Sequence, residues 1–148
     1  MRDLELTIGF LMAIERGDLS LLPKLLSETL IFRGSTLRPL NKREIITLIT
    51  AVRAGIPNWR SHFRDVRIDG KIIRMTIEVT GTHLRPLPGI FPGMPDHPPT
   101  GRAFHLPPET INFLISGDTI EQISIDPVKG GGFIGMLEQL GIPVPIPN

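Results

Sequence analysis

The chain has 148 residues, 41% of them hydrophobic and 21% charged, with a formal net charge of +1 from 16 basic and 15 acidic side chains. That is one domain's worth of sequence with an ordinary globular balance, long enough to bury a core without staples. The near-neutral charge makes no electrostatic case for nucleic acid or a membrane surface, and the absence of cysteine excludes thiol nucleophiles, thiolate metal sites and disulfides.

Tyrosine is absent as well, so no phenol can serve as acid or oxyanion donor. Histidine occurs at four positions only: His62, His83, His97 and His105. The N-terminal stretch MRDLELTIGF carries acids among its apolar residues and does not read as a signal peptide. No apolar run approaches the ~18 residues of a membrane span. A soluble cytoplasmic protein is expected.

In chain order, the first 55 residues read as helical. LELTIGFLMAIERGD places Leu4, Ile8, Leu11 and Ile14 on one stripe at helical spacing. Gly17 stops that helix, and Asp18 can cap a short one over LSLLPKLL. TLIFR is a strand candidate. NKREIITLITAVRAG opens with Asn41 as cap, has Glu44 three residues on, and ends at Gly55, a capping-box pattern.

The remainder reads as strands. WRSHFRDVRID and KIIRMTIEVTGTH are joined by DG, a strong hairpin signal. In the second run Ile73, Met75, Ile77 and Val79 share a face, and the period of two extends it to Gly81 and His83. RAFHL and ETINFLIS follow, split by Pro107 and Pro108. GD then turns the chain into TIEQISID, and a C-terminal helix is expected over 133–140, ended by Gly141.

Between these strands, the 17 residues at 84–100 contain six prolines and two glycines. A loop of this length inside a compact domain is usually functional. Its prolines make it semi-rigid, and Ile90, Phe91 and Met94 give it something to bury. It reads as a lid, not a domain boundary. The whole of 1–148 is therefore one α+β domain of three helices, four or five antiparallel strands and a last helix. A curved sheet wrapped on a long helix makes a cone with an internal pocket.

Several segments together carry a resemblance: AIERGDLSLLPKLLSETLIFRG at 13–34, GTH at 81–83, PPTGR at 98–102, GDTIEQ at 117–122 and LEQLGIPVP at 137–145. Each is weak alone, but the ordered set resembles the SnoaL-like polyketide cyclase family of the nuclear-transport-factor-like superfamily of α+β cones. The resemblance implies aldol-type ring closure without metal or organic cofactor. It also implies an acid/base aspartate at the end of a late strand, which falls here on Asp126. In this chain PVKGGG separates that acid from the terminal helix.

Read on its own residues, Asp126 lies in phase with Ile120, Gln122 and Ser124, so it can point into the cone, where desolvation raises a carboxyl pKa. The plain alternative is an aspartate ending a strand before Pro127. His83, on an apolar face, is either a satisfied structural group or a donor to a substrate carbonyl. Arg102 and His105 flank the base of the 84–100 loop, and Arg102 can pair with an acid to anchor it. Glu109 alternates with Ile111, Phe113 and Ile115 and is a candidate second inward acid. Trp59, with Phe63, can stack on a ligand or simply fill the core. Asn112 and Thr110 lie on the other face of their strand. KGGGF is not a phosphate loop, since Lys129 precedes the glycines and no Ser or Thr follows. No histidine pair has ligand spacing, so no metal site is expected.

The resulting expectation is a cofactor-free acid/base enzyme acting on an apolar, carbonyl-bearing small molecule. Asp126 and His83 are its catalytic candidates. Trp59, Phe63, Arg102, His105, Glu109 and Asn112 are its substrate-binding candidates. The alternatives are a non-catalytic small-molecule-binding domain of the same fold and an epoxide hydrolase- or isomerase-like relative. Strand faces such as RMTIEVTG suggest a homodimer paired through the sheet.

Overall fold

The computed structural model describes residues 2–34 and 36–144. Helix α1 (Arg2–Arg16) buries Thr7, Phe10, Leu11, Ala13 and Ile14, with Asp3 and Glu5 in its first turn and Arg16 in its last, as the helix dipole favours. A 3-10 turn (Leu19–Leu21) runs into the four-residue α2 (Leu22–Leu25). The helix expected over LSLLPKLL ends one residue early. Leu26 opens strand β1 (Leu26–Arg33), which buries Leu26, Leu30 and Phe32.

The two-residue β2 (Leu40–Asn41) leads into α3 (Lys42–Gly55). There the Asn41 side chain accepts from the Glu44 N–H at 2.9 Å and the Glu44 carboxylate accepts from the Asn41 N–H at 3.0 Å. The remaining elements are β3 (Arg64–Asp69), β4 (Ile72–Ile77), β5 (Thr80–Thr82), β6 (Ala103–His105), β7 (Glu109–Ser116), β8 (Thr119–Ile125) and α4 (Gly132–Leu140).

The fold is α+β: the described residues form four helices and a mixed six-stranded sheet in the order β2-β1-β8-β7-β4-β3. All neighbours are antiparallel except β1 and β8, which are parallel. This corrects the expectation of four or five antiparallel strands. No local turn sets the direction of the β1–β8 pair, because most of the chain lies between them.

The run KIIRMTIEVTGTH is not one strand. It breaks after Ile77, and Thr80–Thr82 leaves the sheet to pair with β6 in a separate two-stranded ribbon. The period of two survives the break: Met75, Ile77, Val79, Gly81 and His83 are all buried. WRSHFRDVRID is strand only over β3, because His62 (φ 43°) and Asp65 (φ 55°) take left-handed backbone and shift the register.

Helices α1 and α3 cover one face of the sheet, and the core lies between, with Phe10 edge-on to Phe113 at 5.9 Å. The 84–100 loop is an ordered strap. Leu87 and His97 exchange backbone hydrogen bonds at 2.9 and 2.8 Å, and Leu87, Ile90 and Phe91 are buried. Leu87 packs against Gly55 at the end of α3. Among the described residues no helix is long and apolar enough to cross a membrane.

Candidate functional site

Between the two long helices and the sheet lies a cavity of about 60 Å³, room for about four water molecules. Its floor is Ile77, Val79, Ile111 and Ile125; α1 and α3 form the roof, and Trp59 and Phe133 form one wall. Trp59 stacks on Phe133 of α4 at 6.3 Å and leans on Phe104 at 6.0 Å. Of the lining residues, Arg53, Ser61 and the indole N–H of Trp59 alone bring polar side-chain groups.

Asp126 is not in this cavity. It is exposed on the opposite face of the sheet, where its Oδ1 accepts from Asn112 Nδ2 at 3.1 Å. The cause is a β-bulge. Leu114 pairs with Gln122 but Ile115 pairs with Ile120, so Glu121 is an extra residue and the period of two slips there. Ile120 therefore faces inward with Ile123, and Ile125 lines the cavity, while Gln122, Ser124 and Asp126 share an outer groove with Arg74 and Asn112. Asn112 bridges that groove, accepting from Arg74 Nε at 3.1 Å.

The buried acid is Glu109, 4% exposed. It begins β7 opposite Ile77 and continues the inward face of Ile111 and Phe113. No ion pair reaches it among the described residues. Burial pushes its carboxyl above the ordinary value, and the Gly132 N–H, donating to it at the start of α4, partly opposes that. The glycine run KGGGF has its physical reason here. A Cβ on Gly131 would lie 3.0 Å from the Glu109 carboxyl and 3.1 Å from the Val128 carbonyl oxygen, so a side chain at 131 crowds the acid. The anion that this helix start meets is the protein's own.

His83 is fully buried but lies outside the cavity wall. Its Nδ1 accepts from the Thr100 N–H at 3.1 Å, with the Thr100 hydroxyl equally near. Its Nε2 is buried without a partner among the described residues. The His97 ring stands 6.1 Å away. Burial first, then His97, holds the His83 pKa below the ordinary value. The histidine thus ties the strap to β5, because β4 has already broken where the inward face carries it past the cavity.

The other expected residues separate. Trp59 lines the cavity, whereas Phe63 is half-buried against the core and does not. Arg102 is exposed, its guanidinium over Gly141 at the end of α4. His105 is exposed and pairs with Glu78, and its backbone exchanges hydrogen bonds with the Gln139 side chain at 2.8 and 2.9 Å, pinning α4 to β6. Asn112 belongs to the outer groove. None of the 84–100 loop lines this cavity; the loop packs on α3 as a strap.

Arg53, Ser61 and Phe133 belong to the site without having been singled out in the sequence. Arg53 has a signal, as the one charge on the apolar stripe Ile45, Ile49, Val52 of α3. Ser61 has one also, lying midway between Trp59 and Phe63. Among the described residues no group of three or more His, Asp or Glu side chains could hold a metal ion.

Neither a protein-family model nor a curated protein matches the sequence. Solved structures do match in shape. IdmH from Streptomyces antibioticus, a candidate polyketide cyclase, superposes with a TM-score of 0.70 at 20% identity over 96% of this chain and 100% of its own. A candidate SnoaL-like polyketide cyclase from Jannaschia sp. CCS1 gives 0.72 at 12% identity, covering 97% and 94%. An LEH-like epoxide hydrolase of M. tuberculosis gives 0.69 at 12%, covering 95% and 92%. The two-helix roof, the mixed curved sheet and the full-length superpositions together give this chain the fold of the SnoaL-like polyketide cyclases and their cystatin-fold relatives.

Proposed function

We propose that the protein takes a compact, apolar, carbonyl-bearing molecule into its cone and moves a proton on it with Glu109. The observation that carries this reading is a buried carboxyl without a cationic partner among the described residues: Glu109 does not itself line the cavity, but it lies on the inner sheet face and pairs across the strands with Ile77 of the cavity floor. A desolvated carboxylate is a stronger base than an exposed one, and its neutral form is a usable acid near neutral pH. Likeness in fold to candidate polyketide cyclases supports the same chemistry by analogy alone.

The step is an aldol-type closure. The Glu109 carboxylate takes the proton alpha to a carbonyl, leaving an enolate. The enolate carbon forms a bond to a second carbonyl carbon of the same molecule. The alkoxide so formed takes the proton back from Glu109. Asp126, on the outer face, has no part in this, and the acid role assigned to it passes to Glu109.

The partial reaction is testable without the natural substrate. Alpha-proton exchange of cyclohexanone in deuterated buffer, followed by NMR, should be faster with protein than with buffer. Glu109→Gln should bring the rate to the buffer value while the fold survives. A wild-type rate equal to buffer at saturating ketone overturns proton transfer. One feature favours a second reading, a binding domain without chemistry: the Gly132 N–H on Glu109 also suits a carboxyl kept to hold α4. In that case Glu109→Gln lowers the melting temperature and there is no exchange to lose.

A further inference from the structure

The cavity is apolar except at one corner, and that corner is built from groups with hydrogen-bonding capacity to spare. Ser61 is 2% exposed and lines the cavity. Its backbone is held on both sides: its N–H donates to Glu15 Oε1 at 2.8 Å and its carbonyl accepts from the Glu78 N–H at 2.8 Å. Its hydroxyl has no hydrogen bond among the described residues. Arg53 beside it is fixed just as firmly. Its Nε donates to the Ile14 carbonyl at 2.7 Å, Nη1 to Ile56 at 3.0 Å and Nη2 to Glu15 at 3.4 Å. A guanidinium has five N–H donors, so these three bonds leave two. Among the described residues no carboxylate pairs with Arg53. Arg53 is half-buried and Ser61 buried, and an acceptor entering this apolar setting can take the hydrogen bonds that they have to spare.

We infer that Ser61 and Arg53 form the polar end of the ligand site and select a small apolar molecule bearing a single acceptor oxygen, a ketone or aldehyde carbonyl, over its hydrocarbon counterpart. This rests in part on the proposed function, since it also orients the ligand. Ser61 and Glu109 flank β4 on opposite sides, through Glu78 and Ile77 respectively. That separates their backbones by two strand spacings, about 10 Å. The cavity of about 60 Å³ holds less than a whole six-membered ring, so a cyclic ketone seats its carbonyl end there, with its oxygen at Ser61 and an alpha carbon on the Ile77 side, toward Glu109. Negative charge developing on that oxygen would then meet an arginine and a hydroxyl, the arrangement an enolate needs.

The chain has one tryptophan, and it lines the cavity, so intrinsic fluorescence reports occupancy. The probes are cyclohexanone and its near-isostere methylenecyclohexane, titrated against the full chain. The ketone should bind about 3- to 10-fold tighter, the range of one or two net hydrogen bonds. Ser61→Ala should remove most of that preference, and Ser61→Thr, which keeps the hydroxyl, should restore it. Equal affinities in the wild type, a preference unchanged in Ser61→Ala, or no saturable change with either probe overturns the inference. The same titration in Glu109→Gln separates it from the proton-transfer reading. Ketone preference there should persist although exchange is lost, and exchange without ketone preference would sink the polar end while leaving Glu109 its role.

Discussion

Glu109 and His83 are both buried, and burial moves them in opposite directions. For Glu109 the folded pKa is raised above 4.5. Its protonation therefore contributes stability that is present at low pH and lost as pH rises through the folded value. Glu109→Gln mimics the protonated form, so above that value the variant should melt no lower than the wild type. Proton exchange in the wild type should rise with pH to a plateau, half-maximal above pH 4.5, because the base must be ionised. A half-point at or below 4.5 would mean that the titrating group is an exposed carboxylate. His83 works the other way, its folded pKa lying below 6.5. The stability it contributes is present above pH 6.5 and is lost as pH falls toward the folded value. Thr100, His97 and the Arg85 backbone are the groups about the ring; none is an acid, and the Arg85 backbone opposes the effect of burial only in part. His83→Asn keeps an acceptor for the Thr100 N–H and cannot titrate. Melting curves between pH 7 and 5 should fall less steeply for that variant, and parallel slopes would rule His83 out as the sensor.

The helix that carries Arg53 depends on its start. Removing the Asn41 side chain leaves the Glu44 N–H without its acceptor, so Asn41→Ala should cost about 1 kcal/mol, read as a lower urea midpoint at unchanged m-value. That cap was legible in NKRE, because a capping box is local chemistry. The stripe of α1, the inward face from Ile73 to His83 and the inward phase of Glu109 were legible for the same reason, since each is a periodicity of neighbouring residues. Asp126 was not. Counting by twos from Ile120 puts it inside, and the one-residue bulge at Glu121 puts it outside. A bulge answers to the partner strand, which spacing in one strand cannot show. The parallel pairing of β1 with β8 was hidden likewise, as was the fate of the Pro-rich loop. Its buried Leu87 finds Gly55 on α3, and nothing local in 84–100 says so. At α4 the same dependence on tertiary partners makes a prediction. Gln139 holds the helix to His105 by two hydrogen bonds, and Gln139→Ala should loosen α4 at a cost of about 1–2 kcal/mol. Amide exchange should quicken in 132–140 before it does in α3. Uniform protection across both helices would show that the pin is not what seats α4.

At the scale of the whole molecule, the cavity is the place where packing is incomplete. Natural cores leave few voids larger than a water, and this one lies between both long helices and the sheet. If it exists to hold a ligand, filling it should trade binding for stability. Val79, 4% exposed and on the cavity floor, is the position to change. Val79→Ile adds one methylene at the cavity floor, and a buried methylene contributes about 0.8 kcal/mol. The melting temperature should rise by about 2–4 °C for a domain of this size, while cyclohexanone binding read by Trp59 weakens. Ile123→Val serves as the control. Ile123 is fully buried but does not line the cavity, so its truncation should cost about 1 kcal/mol and leave the ketone titration unchanged. Val79→Ile melting lower than the wild type would mean the void is closed in solution and the added methyl overpacks it. A stabilised variant that binds the ketone as well as before would place the ligand elsewhere. A stabilised variant with weakened binding, beside an Ile123→Val that only melts earlier, is the pattern of a pocket kept open for its occupant.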